Sequence, residues 1–159
     1  METMKIVIFK EKNEEYAINV DHVLSIEKLE HITPVPKLPD YIKGLVKVRG
    51  NLVPVVDLHN VLYGTDEEIQ EITRLIVLKT DEMELALLVG EAKELLEIER
   101  SSIKQVGLIA YEKTSYFTGV INLENRLITI IDPLQFIYSL DGIKEIQAFM
   151  KEREETANH

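Results

Sequence analysis

Tyr41-Ile42-Lys43-Gly44-Leu45-Val46-Lys47-Val48-Arg49-Gly50-Asn51-Leu52-Val53-Pro54-Val55-Val56-Asp57-Leu58 reads as a β-hairpin that runs into the start of a helix. Leu45 to Val48 and Leu52 to Val56 are short apolar runs rich in β-branched residues. Arg49-Gly50-Asn51 turns between them, with Gly50 suited to positive φ. Asp57 stands where an N-cap belongs, because its carboxylate can accept from the free N–H groups of a first helical turn. The pattern returns 75 residues later, at Tyr116 to Pro133. Tyr41 falls on Tyr116, Gly44 on Gly119, Leu52 on Leu127 and Asp57 on Asp132. Alternation alone explains why apolar positions coincide, but not why a Tyr, a Gly and an Asp recur at one offset. The spacing therefore predicts an internal duplication.

Working outward, Ile6-Val7-Ile8-Phe9-Lys10 lies on Leu75-Ile76-Val77-Leu78-Lys79 at an offset of 69, and Ala17 and Val20 fall on Ala86 and Val89. Each half begins with a hairpin: Ile6–Phe9 with Tyr16–Val20, and Leu75–Leu78 with Leu85–Val89. Asp21 is expected to cap a short helical turn through Val23 and Leu24. Ile26 and Leu29 suggest a third strand, matched by Leu95 to Ile98. Pro34, Pro36 and Pro39 make 31–41 an extended loop, since proline donates no ladder hydrogen bond. Residues 65–71 read as the connection between halves, and 104–116 as a loop. Asp132-Pro133 starts a helix with proline at its tolerated first position. After Gly142, Ile143, Ile146, Phe149 and Met150 form an apolar stripe at helical spacing, and 151–159 are expected to fray.

The expected fold is mainly β: two five-stranded β-barrel subdomains related by internal duplication, with short helices and a C-terminal helix. The expected boundaries are 4–140 for the domain, with subdomains at 4–66 and 72–138. The C-terminal helix and tail occupy 141–159.

Composition narrows the function. The chain has 159 residues and a formal net charge of −10, a field that repels phosphate backbones and anionic lipid surfaces. Nucleic-acid binding is not expected. The longest aliphatic run, Leu85 to Val89, is far too short for a membrane helix, so no membrane insertion is expected. The N-terminus lacks the basic start and long apolar stretch of a secretory signal. With no cysteine there are no disulfides, thiolate ligands or thiol nucleophiles. A cytoplasmic location fits.

Reactive constellations are not found in the sequence. His22, His31, His59 and His159 are dispersed, and the glycines form no phosphate-cradling loop. No metal site, cofactor or catalytic residue is expected. Asp57 and Asp132 read as caps rather than as acid–base catalysts. Arg49 is different: it occupies a hairpin turn in one half only, where the other half has Glu124. Its planar fork suits carboxylate or backbone acceptors on a partner, although a local ion pair is the simpler alternative.

The stretch Gly44 to Leu58 resembles the signature of the CheW adaptor family, which runs Gly, three residues, Leu-Arg-Gly, then an apolar strand ending Pro-Val-Ile-Asp-Leu. The Ile6 to Val20 hairpin, Val23-x-x-Ile26, the proline-rich loop and Gly119 to Asp132 also resemble it. The likeness spans roughly residues 4 to 140. This chain departs from the signature with Lys47 and Val48 before Arg49, His59 after Asp-Leu, and Ser25 two places after Val23.

The resemblance implies SH3-like barrels and a chemotaxis scaffold without catalysis that joins the cytoplasmic tips of methyl-accepting chemoreceptors to the histidine kinase CheA. It implies receptor-binding roles for Arg49, Val20, Val23, Ile26 and Gly44, and leaves the kinase-facing residues unassigned. It implies a protein that is monomeric in isolation, assembled into arrays, and cytoplasmic but recruited to membrane receptors. The chain leaves no room for a receiver or kinase domain, so a stand-alone adaptor is expected. A CheW-like adaptor of another receptor–kinase pathway, such as surface motility, is the alternative.

Overall fold

The computed structural model describes residues 2–105 and 114–157. Its strands are β1 (Thr3–Glu11), β2 (Glu14–Asn19), β3 (Val23–Lys28), β4 (Ile42–Val48), β5 (Asn51–Asp57), β6 (Arg74–Lys79), β7 (Glu84–Val89), β8 (Glu91–Glu99), β9 (Phe117–Leu123) and β10 (Arg126–Ile131). Its helices are α1 (Leu58–Tyr63), α2 (Pro133–Ser139) and α3 (Ile143–Ala157). The run β1 to α1 and the run β6 to α2 are the same succession of elements. They agree in detail: Asp57 N–H donates to Tyr41 O and Asp132 N–H to Tyr116 O, each at 2.8 Å.

The strands form two five-stranded sheets, ordered β8-β1-β2-β10-β9 and β3-β6-β7-β5-β4. Under the duplication these orders are identical, and each sheet draws strands from both halves of the chain. The second sheet is the continuous stretch from β3 to β7. The first combines the N-terminal hairpin with β8 to β10. Each half lends its opening hairpin to the other half's sheet, through the parallel contacts Ile130↔Ala17 and Val55↔Ala86. The chain accordingly passes between the sheets at two places among the described residues, the turn Val20–His22 and Gly90.

The physical reason lies in burial. In β1, Ile6 and Ile8 fill the interior of the first sheet, while Val7 and Phe9 face a core shared by both sheets. In β6, Leu75 and Val77 fill the second sheet, while Ile76 and Leu78 face the shared core. A hairpin apolar on both faces needs cover on both, and the exchange supplies it.

Two local expectations change. The helical turn after β2 is a 3-10 turn at Val20–His22, capped by Asn19 rather than Asp21: Asn19 Oδ1 accepts from Asp21 N–H at 2.9 Å. The ladders are also not closed barrels. In each sheet the two edge strands are linked by one bridge from the segment beyond an edge strand, Thr33↔Leu45 or Lys104↔Val120. After Thr33, Pro34 and Pro36 have no N–H to extend the first of these.

Asp57 and Asp132 cap α1 and α2 as expected; Asp57 accepts from Asn60 N–H, and Asp132 from Leu134 and Gln135 N–H. Ile143 and Ile146 of α3 are buried in the shared core, and Met150 packs against it. The helix spans Ile143–Ala157. The expected loop at 104–116 falls partly outside the described residues.

Candidate functional site

The first crossing between the sheets builds one edge of the candidate surface. Val20 lies in the crossing turn and Val23 opens β3; both are half-buried and pack against the shared core. From Val23 the strand alternates, so Leu24 and Ile26 share the opposite face and are each 42% exposed. The sequence expectation therefore divides: Ile26 presents surface, whereas Val20 and Val23 mainly hold the strand in place. Leu24 was missed. Read as part of a helical turn it had no partner, but at strand spacing it stands beside Ile26.

Gly44, in β4, is buried. Its φ is +140°, and a Cβ there would run into the carbonyl oxygen of Thr33. Thr33 and Leu45 exchange two backbone hydrogen bonds at 2.8 Å, so Gly44 lets the segment after β3 close on β4. Its contribution to any surface is through backbone position.

Arg49 is exposed on the β4–β5 turn, and no hydrogen bond or ion pair among the described residues involves it. Its φ is +53°, followed by Gly50 at +86°, which is the turn that matches strand twist. A side-chain-bearing residue is disfavoured there relative to Gly or Asn. The equivalent turn has Glu124 at +41° and Asn125 at +71°, so the duplicated turns present opposite charges.

Register locates these groups relative to one another. Val23 pairs with Leu78 at the end of β6, Lys79 pairs with Glu84 at the start of β7, and β5 starts at that same end. Val23 and the Arg49 turn therefore share one end of the second sheet, on its two opposite edge strands. Leu52, one residue beyond the turn strand's start, is 41% exposed and adds apolar area beside Arg49. Sequence reasoning also passed over Leu52; its outward position in the β4–β5 register was the available signal.

Among the described residues, no group of three or more His, Asp or Glu is placed to hold a metal. A cleft of about 450 Å³ is lined by charges of both signs, including Lys10, Lys12, His59, Asp66 and Glu68, with no hydroxyl nucleophile. His59 Nδ1 is 2.6 Å from the Thr65 carbonyl oxygen. Hydrogen bonds from Lys43 and Asn60 hold Asp66 below the usual carboxylate range. Burial pushes the Tyr41 hydroxyl up to about 12, and that group donates to Asp141 O at 2.6 Å. These are structural ties. No helix of the described residues is long and apolar enough to cross a membrane.

Two five-stranded sheets of the same strand order pack on a shared core and carry exposed groups along their edges. Residues 5–141 match the family described as the CheW-like domain, and the chain belongs to that family of chemotaxis scaffold proteins. It is 34% identical over 129 residues to the chemotaxis protein CheW of Bacillus subtilis (strain 168), covering 80% of this chain and 83% of the relative. It is 26% identical over 133 residues to the chemotaxis protein CheW of Thermotoga maritima, covering 83% and 86%. The crystal structure of the scaffolding protein TtCheW from Thermoanaerobacter tengcongensis superimposes with a TM-score of 0.77 at 25% identity, over 89% of this chain and 92% of that one. Helix α3 begins after residue 141, where the match to the CheW-like domain ends.

Proposed function

We propose that this chain is a chemotaxis adaptor that couples the cytoplasmic tips of chemoreceptors to the histidine kinase CheA, by recognition alone and without catalysis. Membership of the CheW-like family supports this reading, and the exposed, unpaired Arg49 is the observation that carries it. A guanidinium on a hairpin turn with no acceptor among the described residues is available to a carboxylate or carbonyl of a partner. Leu24 and Ile26 on β3 supply apolar area for a receptor helix, which would lie with its apolar face on them. Val20, Val23 and Gly44 hold the edges that present these groups. In this reading the protein is cytoplasmic, monomeric when alone, and recruited to receptor arrays, where multivalency compensates for modest affinity.

Co-sedimentation with a chemoreceptor cytoplasmic fragment tests the reading. Arg49→Ala is expected to keep its melting curve and to lose at least half of its receptor-bound fraction. Unchanged receptor binding removes Arg49 from the site. A large fall in melting temperature instead makes it a structural residue.

A further inference from the structure

The second crossing between the sheets, at Gly90, holds a feature that recognition does not use. Glu11, the last residue of β1, is 0% exposed. Its Oε1 accepts from Gly90 N–H at 2.9 Å, but its Oε2 is buried without a donor. Glu67, in the connection between the two halves, also has a buried Oε2 without a donor. The two carboxyls converge: a Cβ added to Gly90 would stand 3.3 Å from Glu67 Oε1 and 3.8 Å from Glu11 Oε2. A carboxyl buried as fully as that of Glu11, beside a second carboxyl, favours its protonated form unless a cation lies between them.

Among the described residues, no Lys, Arg or His lies within 4.0 Å of either carboxyl. From β5, Asp57 is fully buried; its Oδ2 accepts from Glu67 N–H at 2.9 Å and adds a further negative charge. Lys43 reaches Asp57 Oδ2 only at 4.0 Å and is bonded to Asp66 at 2.6 Å. Lys10, Lys12, His59, Glu68 and Glu91 line the open cleft alongside. Tyr63 of α1 is bonded to Tyr16 of β2, and Lys12 lies over the Tyr63 ring. Glu14 faces Glu11 in the β1–β2 register and is exposed.

We infer that Glu11 and Glu67 share a single proton, and that this proton fastens the connection between the halves onto the joint where the chain passes from one sheet to the other. Glu11 is the proton's main holder, because burial first, and the bond to Glu67 second, push its carboxyl far above the ordinary carboxylate range. The joint is then proton-linked. A group with a raised folded-state pKa stabilises fully below the unfolded carboxylate value and loses that contribution as pH rises toward the folded value. Between those limits each pH unit lowers the folding equilibrium constant about tenfold through this one site. Above the folded value, ionised Glu11 repels Glu67 and Asp57 and loosens the connection.

The carboxyl carbons of the intact, isotopically labelled protein are followed by NMR from pH 4 to 10. The expected result is a Glu11 signal that is still protonated at pH 7. A Glu11 signal fully ionised by pH 6 overturns the inference. Glu11→Gln replaces the shared proton with an amide donor. Its folding constant relative to the parent is expected to rise about tenfold per pH unit from pH 6 to 8. Parallel pH profiles overturn the linkage. Should Glu11→Gln not fold, the NMR titration still decides. Receptor binding by Arg49 plays no part in either readout.

Discussion

Gly44→Ala tests whether the two sheets are held by their edge bridges as described. The residue has φ +140°, and its missing Cβ leaves room for the Thr33 carbonyl oxygen. An alanine there adds backbone strain of about 1–3 kcal/mol. It also pushes Thr33 away from Leu45, weakening two backbone hydrogen bonds worth about 0.5–1.5 kcal/mol each. The sum is roughly 2–6 kcal/mol, or a fall in melting temperature of roughly 6–18 °C for a chain of this size. Gly119→Ala is the internal control. Its obstacle is the Ile103 Cγ2 methyl at 2.6 Å, the movable tip of a side chain, with the Lys104 carbonyl oxygen at 3.1 Å. That substitution is expected to cost about 1–2 kcal/mol, an overpacking penalty without left-handed strain. Thermal unfolding followed by circular dichroism measures both. A Gly44→Ala protein that melts within about 2 °C of the parent, or no lower than Gly119→Ala, refutes the reasoning.

The paired aspartates should also separate. Asp57→Ala removes a cap and the acceptor of Glu67 N–H from a fully buried position, for roughly 2–4 kcal/mol, whereas Asp132→Ala removes a cap alone, for about 1 kcal/mol; chemical denaturation reads the difference. Arg126 holds Glu15 through two hydrogen bonds, and that bonding lowers the Glu15 pKa. A lowered folded-state value stabilises above the unfolded carboxylate pKa and is lost as pH falls, so Arg126→Met should flatten the acid limb of the stability profile between about pH 5 and 3. Leu24→Ser should leave the melt within about 0.5 kcal/mol of the parent, since the side chain is substantially exposed, and should weaken receptor fragment binding.

The hairpins, the duplication and the two aspartate caps were legible in the sequence because each rests on local pattern: alternation, turn chemistry and a repeated offset. The exchange of hairpins was not inferred, because strand periodicity does not name a strand's partner. A signal existed nonetheless. Ile6-Val7-Ile8-Phe9 and Leu85-Ala86-Leu87-Leu88-Val89 are unbroken apolar runs, which mark strands covered on both faces. Arg49 stood out because its turn is visible in sequence. Leu24 and Leu52 did not, because their exposure depends on where β3 starts and how β5 is registered. Glu11 and Glu67 are separated by 56 positions and meet only through the fold.

The central claim is that the protein's outer surfaces join two partners. Reconstitution of a chemoreceptor cytoplasmic fragment with CheA, with and without this chain, measures it directly. The kinase should enter the receptor pellet only when the chain is present, and Arg49→Ala should reduce that recruitment. Equal recovery of CheA in its absence would contradict the account.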